Sequence, residues 1–349
     1  MKIKKNQEEF IIIPELLSLT TNVDCLFHFI LGPFMYKFFS RGKTKLNFSY
    51  IVKKDIKKPP ELNTKLEYFW GTSGDKRIYY EHPFLGRIKL KMLVEKQGNN
   101  FNFLVNPFYY KYIKFIVGRV WTSGLYLQDA AALSLSSIGF TIMHGACVAK
   151  EGQGVLIFGS PESGKSSTTF SLSKKGYKLL CDDCLVLDSN NVYATSSRMP
   201  LEYFSRTKNG WRQKYSNFIS KIPVIGLVLS YFVSQPSPAL DSFHKVLDNN
   251  RLVEKAKIKK IFILEKGENE VKKITPKEAL RNILILNRLQ SFYYNDAFLQ
   301  ALFYFNPEID INCITRNEEE IASSIVNQAD CYLLQANDPR KYIEYLDKI

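Results

Sequence analysis

Val155-Leu-Ile-Phe158 followed by Gly159-Ser-Pro-Glu-Ser-Gly-Lys-Ser166 is the stretch that decides the fold. Four consecutive apolar residues predict a buried strand, and the next eight fit G-x-x-x-x-G-K-[ST]. The chemistry explains the spacing. A strand delivers the chain into a tight loop whose backbone N–H groups point inward, and the helix that follows offers its positive end to the same anion. Lys165 then reaches outer phosphates, and the Ser166 hydroxyl suits Mg²⁺. The helix is expected over 165–175, ending at Gly176, and the next strand over 177–181.

Asp182 and Asp183 close that second strand, so both carboxylates should emerge beside the loop. One would bind Mg²⁺; two also provide an acceptor for the proton of an attacking hydroxyl. His144, in Met143-His-Gly145, lies just upstream of the loop strand and is one of only four histidines. Taken alone, such a histidine is more often structural than catalytic.

Outward from the motif, residues 140 onward alternate strands and helices, with Ile261 to Glu265 a further strand. Residues 111–139 have helical spacing of apolar side chains. Between Lys45 and Asn106 short alternating runs rich in Tyr, Phe, Ile and Val predict a small antiparallel β region, with a hairpin turning at Gln97 to Asn100 and an exposed loop at 53–60. Residues 1–40 read as apolar helical segments after a polar start. Residues 200–250, with Trp211, Pro223, Pro236 and Pro238, read as an irregular insertion over the site. The division that follows is a β-rich N-terminal domain over 1–110, suited to holding an acceptor or leader, and a catalytic domain over 111–349.

The 349-residue chain is long enough for two cores, and 45% hydrophobic content excludes disorder as the general state. Phe27 to Phe39 and Ile222 to Val233 are too short for a membrane span. The N-terminus lacks the apolar core of a signal peptide, so a cytoplasmic protein is expected. Cys181 and Cys184 form a CxxC, but no second pair completes a zinc site and the reading is of ordinary strand-end thiols. The net charge is +14, and residues 1–130 hold 21 Lys and Arg against 11 Asp and Glu. That surplus favours an anionic partner, an acidic peptide ahead of nucleic acid, although a Lys-rich genome produces the same bias.

Taken in order, Ile138 to Val148, Gly154 to Gly159, the loop, and Lys175-Gly-Tyr-Lys-Leu-Leu-Cys-Asp-Asp183 resemble the HPr kinase/phosphorylase catalytic domain, and in particular its stand-alone relatives that phosphorylate serine in peptides. The resemblance is strongest over 124–188. It implies an α/β fold like that of phosphoenolpyruvate carboxykinase, preceded by a small β-rich α+β domain, and an ATP- and Mg²⁺-dependent kinase acting on a Ser or Thr hydroxyl of a peptide or protein. It assigns Gly159, Ser160, Ser163, Gly164, Lys165, Ser166 and Ser167 to the nucleotide, Ser166 and Asp183 to the metal, and catalysis to Asp182 as base with His144 and Lys165 beside it. The split between the two aspartates is open to reversal, and a homo-oligomer is left open. A small-molecule kinase and a nucleotide-binding regulatory module are the alternatives. The chain departs from the family at Pro161-Glu162, where Ser-Gly is usual, and at Ser167, where HPr kinase has glutamate. Arg198 and Lys255 are the candidates for the family's downstream basic loop, and HPr is not the expected acceptor.

Overall fold

The computed structural model describes residues 6–23, 42–112 except 85 and 87, 126–182, 184–195, 253–290 and 296–346. They form a mixed α/β protein with two sheets.

The first sheet has eight strands: β1 (Glu8–Ile13), β2 (Leu17–Thr21), β3 (Leu46–Val52), β4 (Thr64–Leu66), β5 (Phe69–Gly71), β6 (Arg77–Phe84), β7 (Ile88–Gln97) and β8 (Asn100–Val105). Their order is β1-β2-β3-β8-β7-β6-β5-β4. The expected hairpin is present as β7–β8, in register from Met92↔Val105 to Gln97↔Asn100. Gly98 takes the positive φ of 61° that its two-residue turn requires.

Two expectations are corrected. Residues 8–21 are a β-hairpin and not helix: Ile11 to Ile13 are β-branched, and Leu17, Leu19 and Thr21 repeat with period two. Short apolar runs of this kind do not distinguish strand from helix by periodicity. The sheet is also mixed, since β2–β3 and β3–β8 are parallel. The connection from Asn22 to Lys45 is long enough for that crossover. The apolar stretches 27–39 and 222–233 and the segment 200–250 lie outside the described residues. Among the described residues no helix is long and apolar enough to cross a membrane.

The buried face of this sheet carries Phe48, Tyr50, Met92, Phe101 and Phe103, and two helices cover it: α2 (Tyr126–Ser137), which follows α1 (Pro107–Tyr112), and α5 (Ala297–Phe305). Phe298 stacks on Tyr126 at 5.1 Å between ring centroids. Phe305 lies so close to Gly71 that an added Cβ would meet its ring at 2.5 Å. The core around them therefore joins side chains from Phe10 to Phe305.

The second sheet contains β9 (Thr141–Met143), β10 (Ala146–Lys150), β11 (Gln153–Gly159), β12 (Lys178–Cys181), β13 (Leu185–Leu187), β14 (Asn191–Tyr193), β15 (Lys255–Glu265), β16 (Glu270–Lys273) and β17 (Asp330–Gln335). Its main order is β12-β10-β11-β15-β14-β13-β9, with β17 also paired to β15. Alternation sends Val155, Ile157, Phe262 and Leu264 to one face, under α3 (Lys165–Lys174) and α7 (Pro339–Leu346). Leu156, Phe158, Ile261 and Ile263 face the other side, under α4 (Pro276–Gln290) and α6 (Cys313–Gln328). Helices thus approach this sheet from both faces, the layering expected of an α/β unit.

One buried polar contact joins α2 to α5. Asp129 is 5% exposed, and Asp296 caps α5 by accepting from the Phe298 N–H at 2.7 Å. Burial, then the charge and hydrogen bond of Asp296, hold the Asp129 carboxyl well above the ordinary range, with Tyr80, Tyr109 and Tyr126 packed close by. The unfolded carboxyl loses its proton near pH ~4, whereas the folded one keeps it to higher pH. The folded state therefore binds more protons in that window, and stability falls as pH rises through it, by about 1.4 kcal/mol per unit of elevation. Asp129→Asn retains a hydrogen-bond donor and should flatten that fall, which thermal denaturation from pH 4 to 8 will read. A parallel fall in the variant would locate the titration elsewhere.

Candidate functional site

Strand β11 is buried along Gly154–Gly159 and pairs in parallel with β15, ending at Gly159↔Leu264. The chain then turns sharply. A Cβ on Gly159 would sit 2.4 Å from Ser163 Oγ and 2.9 Å from the Leu264 carbonyl, so only glycine allows the loop to fold back here. The Ser163 N–H bonds the Ser160 carbonyl at 3.2 Å. Glu162 and Gly164 take positive φ, 61° and 99°. The glycine at 164 suits this backbone; Glu162 carries a side chain in a region that costs roughly 1–2 kcal/mol.

Gly164 is the N-cap of α3 and brings no side chain to cap it. Lys165 is 6% exposed, and its ammonium bonds the Gly159 and Ser160 carbonyls at 2.7 and 3.0 Å, drawn over the loop it follows. Ser163 Oγ is buried and has no hydrogen-bond partner among the described residues. A glycine cradle, an uncapped helix start, a buried hydroxyl donor and an ammonium together form an arrangement that fits a phosphate chain.

Strand pairing brings the other candidates to the same edge. β12 lies two strands from β11, with antiparallel β10 between them, so β11 and β12 run in the same direction. Cys181 pairs with Cys147, and Cys147 with Leu156. Asp182 therefore leaves its strand level with the end of β11, about 10 Å away across two strand spacings. It is 3% exposed. Asp183 lies outside the described residues. His144 precedes β10 and is half-buried at the edge between the two. Gly145 beside it would press a Cβ 2.7 Å from Leu185 and 3.1 Å from the Ile157 carbonyl, which holds this corner against β11.

Two residues at this edge escaped the sequence reading. Asn287 on α4 accepts the His144 backbone N–H through Oδ1 at 2.8 Å, and Gln290 one turn later donates to the Gly159 carbonyl at 3.4 Å. The signal for Asn287 was present: Ala279, Ile283 and Asn287 form the buried stripe of α4, and a polar residue on such a stripe calls for a partner. α4 itself starts where it does because the Thr275 hydroxyl accepts from the Glu278 N–H at 3.2 Å, with Pro276 in the first turn.

Lys255 is not at this edge. It begins β15, about 30 Å of strand from Leu264, and pairs with Glu15 at 3.4 Å beneath Tyr193. Arg198 lies outside the described residues. Cys147, Cys181 and Cys184 are free thiols at 0% exposure, and burial raises the Cys181 pKa well above the ordinary thiol range.

No family model and no curated protein matches the chain. Among solved structures, the Hpr(Ser) kinase/phosphatase from Coxiella burnetii is similar over 38% of this chain and 78% of that one, at 16% identity and a TM-score of 0.22. At that score the likeness has no weight for the fold or the activity of this chain.

Proposed function

We propose that the chain is an ATP-dependent phosphotransferase that carries the outermost phosphate of its donor to a Ser or Thr hydroxyl of a peptide or protein. The observation that carries this reading is the convergence, at one edge of one sheet, of the Gly159–Ser166 loop, His144 and Asp182 beside the ends of three neighbouring strands. In this reading the loop N–H groups and the start of α3 hold the inner phosphates, and Lys165 swings from its loop carbonyls to the outer ones. Asp182 accepts the proton of the attacking hydroxyl, and its burial keeps competing water away. His144 lies between the loop and this base. Ser166 and Asp183 would hold Mg²⁺, which neutralises phosphate charge when bound.

The basic surplus of the first third supports an anionic acceptor or leader. Lys53, Lys54 and Lys57 are exposed on the loop after β3, and Lys58 and Lys65 lie over the Trp70 ring at 4.7 and 5.4 Å. One observation favours the regulatory-module alternative: Glu162 places strain and negative charge where phosphates would lie.

Two experiments divide these readings. With γ-labelled ATP and a fractionated lysate as acceptor source, Lys165→Ala should lose transfer and bind ATP weakly, whereas Asp182→Asn should bind ATP normally and lose transfer by roughly 10²–10⁴-fold. Full transfer in both variants would refute the kinase. Glu162→Gly should tighten ATP binding without lowering Tm, because relief of the left-handed conformation, about 1–2 kcal/mol, offsets the entropy that glycine adds to the unfolded chain. A weaker ATP affinity in that variant would mean that Glu162 contributes to the site.

A further inference from the structure

We propose that Asn287 recognises the outermost phosphate, donating its Nδ2 to that group while its Oδ1 holds the His144 corner in place; this rests on the nucleotide reading above. Asn287 is 0% exposed. A backbone N–H can only donate, so the atom facing His144 N at 2.8 Å must be the amide oxygen, which fixes the orientation of the side chain. Nδ2 is then directed away from that bond, and it has no hydrogen-bond partner among the described residues. A buried donor without an acceptor is costly, and the stripe it continues, Ala279 and Ile283, would accept leucine at no such cost.

The position identifies what the donor meets. α3 and α4 cover opposite faces of the second sheet, and both reach the same edge, α3 through its N-terminus at the loop and α4 through its last turn. Gln290 marks this contact by reaching the Gly159 carbonyl. β10 lies between the loop strand and the Asp182 strand, so His144, just ahead of β10, stands on the path from one to the other. A phosphoryl group travelling from loop to hydroxyl passes this corner, whereas the inner phosphates stay on the α3 side. The chemistry of the occupant is therefore a terminal phosphate oxygen present in the triphosphate and missing from the diphosphate.

The test is the ratio of Mg·ATP to Mg·ADP affinity, measured by calorimetry on the full chain. Asn287→Asp keeps an oxygen for the His144 N–H but replaces the donor with a charge, and Asn287→Ala removes both groups. In either variant the ATP affinity should fall by about tenfold or more, and the ADP affinity by less than about threefold. Equal losses for the two nucleotides would make Asn287 a structural residue only, and no change would remove it from the site; both overturn the proposal. If the wild-type chain binds neither nucleotide, the nucleotide reading fails and takes this one with it. If the variants do not fold, the wild-type protein labelled with ¹⁵N-asparagine gives the answer. A side-chain NH₂ resonance should shift with a non-hydrolysable ATP analogue and stay in place with ADP, and its failure to do so overturns the proposal.

Discussion

The approach of Gly159 to the Leu264 carbonyl controls the geometry of the site. Parallel pairing of β11 with β15 runs to the last residue of β11, so the chain has to turn within van der Waals reach of the neighbouring backbone. At 2.9 Å from that carbonyl and 2.4 Å from Ser163 Oγ, a Cβ has no room. The turn then sets the start of α3, the position of Lys165 over the Gly159 and Ser160 carbonyls, and the exposure of the Gly159 carbonyl to Gln290. A side chain at 159 would displace all of these together, because they share one short segment of backbone.

What the sequence disclosed follows from how local each determinant is. The loop was legible because its requirements, an apolar strand, a glycine at the turn and a glycine at the helix start, lie within a dozen residues. Asp182 was legible because it follows a strand whose direction the loop motif implies, although the antiparallel β10 between the two strands was not foreseen. Residues 8–21 were misread because apolar density is common to buried strands and buried helices, and the pairing that decides the matter is with β3, beginning at Leu17↔Leu46. Asn287 was missed because its partner, His144, is 143 residues away and no local pattern names it. The polar residue on the buried stripe of α4 showed that a partner was needed and left its identity open.

The two sheets differ in what burial accomplishes. In the first, aromatic side chains do most of the packing: Phe298 contacts Phe69, Phe103 and Tyr126, and the fit of Phe305 over Gly71 depends on a missing Cβ. A buried carboxyl pair in that core, Asp129 with Asp296, lies between α2 and α5, so the proton it retains helps join a helix early in the chain to one near its end. In the second sheet aliphatic alternation on both faces leaves the strand ends as the places where polar groups gather. Polar side chains gather at that edge because it is where buried backbone runs out.

The two helices that meet there bring opposite ends to it. α3 presents its N-terminus, whose partial positive charge favours an anion. α4 arrives with its C-terminal turn, whose carbonyls would repel the same anion. The side-chain amides in that turn change the balance. Gln290 Nε2 lies 3.4 Å from both the Leu286 and the Gly159 carbonyls, covering an oxygen of the helix and an oxygen of the loop. Asn287 directs its oxygen to the His144 N–H and so keeps its own NH₂ available as a donor. A C-terminal turn that would oppose phosphate is thereby lined with N–H groups, and the edge offers donors from both faces of the sheet.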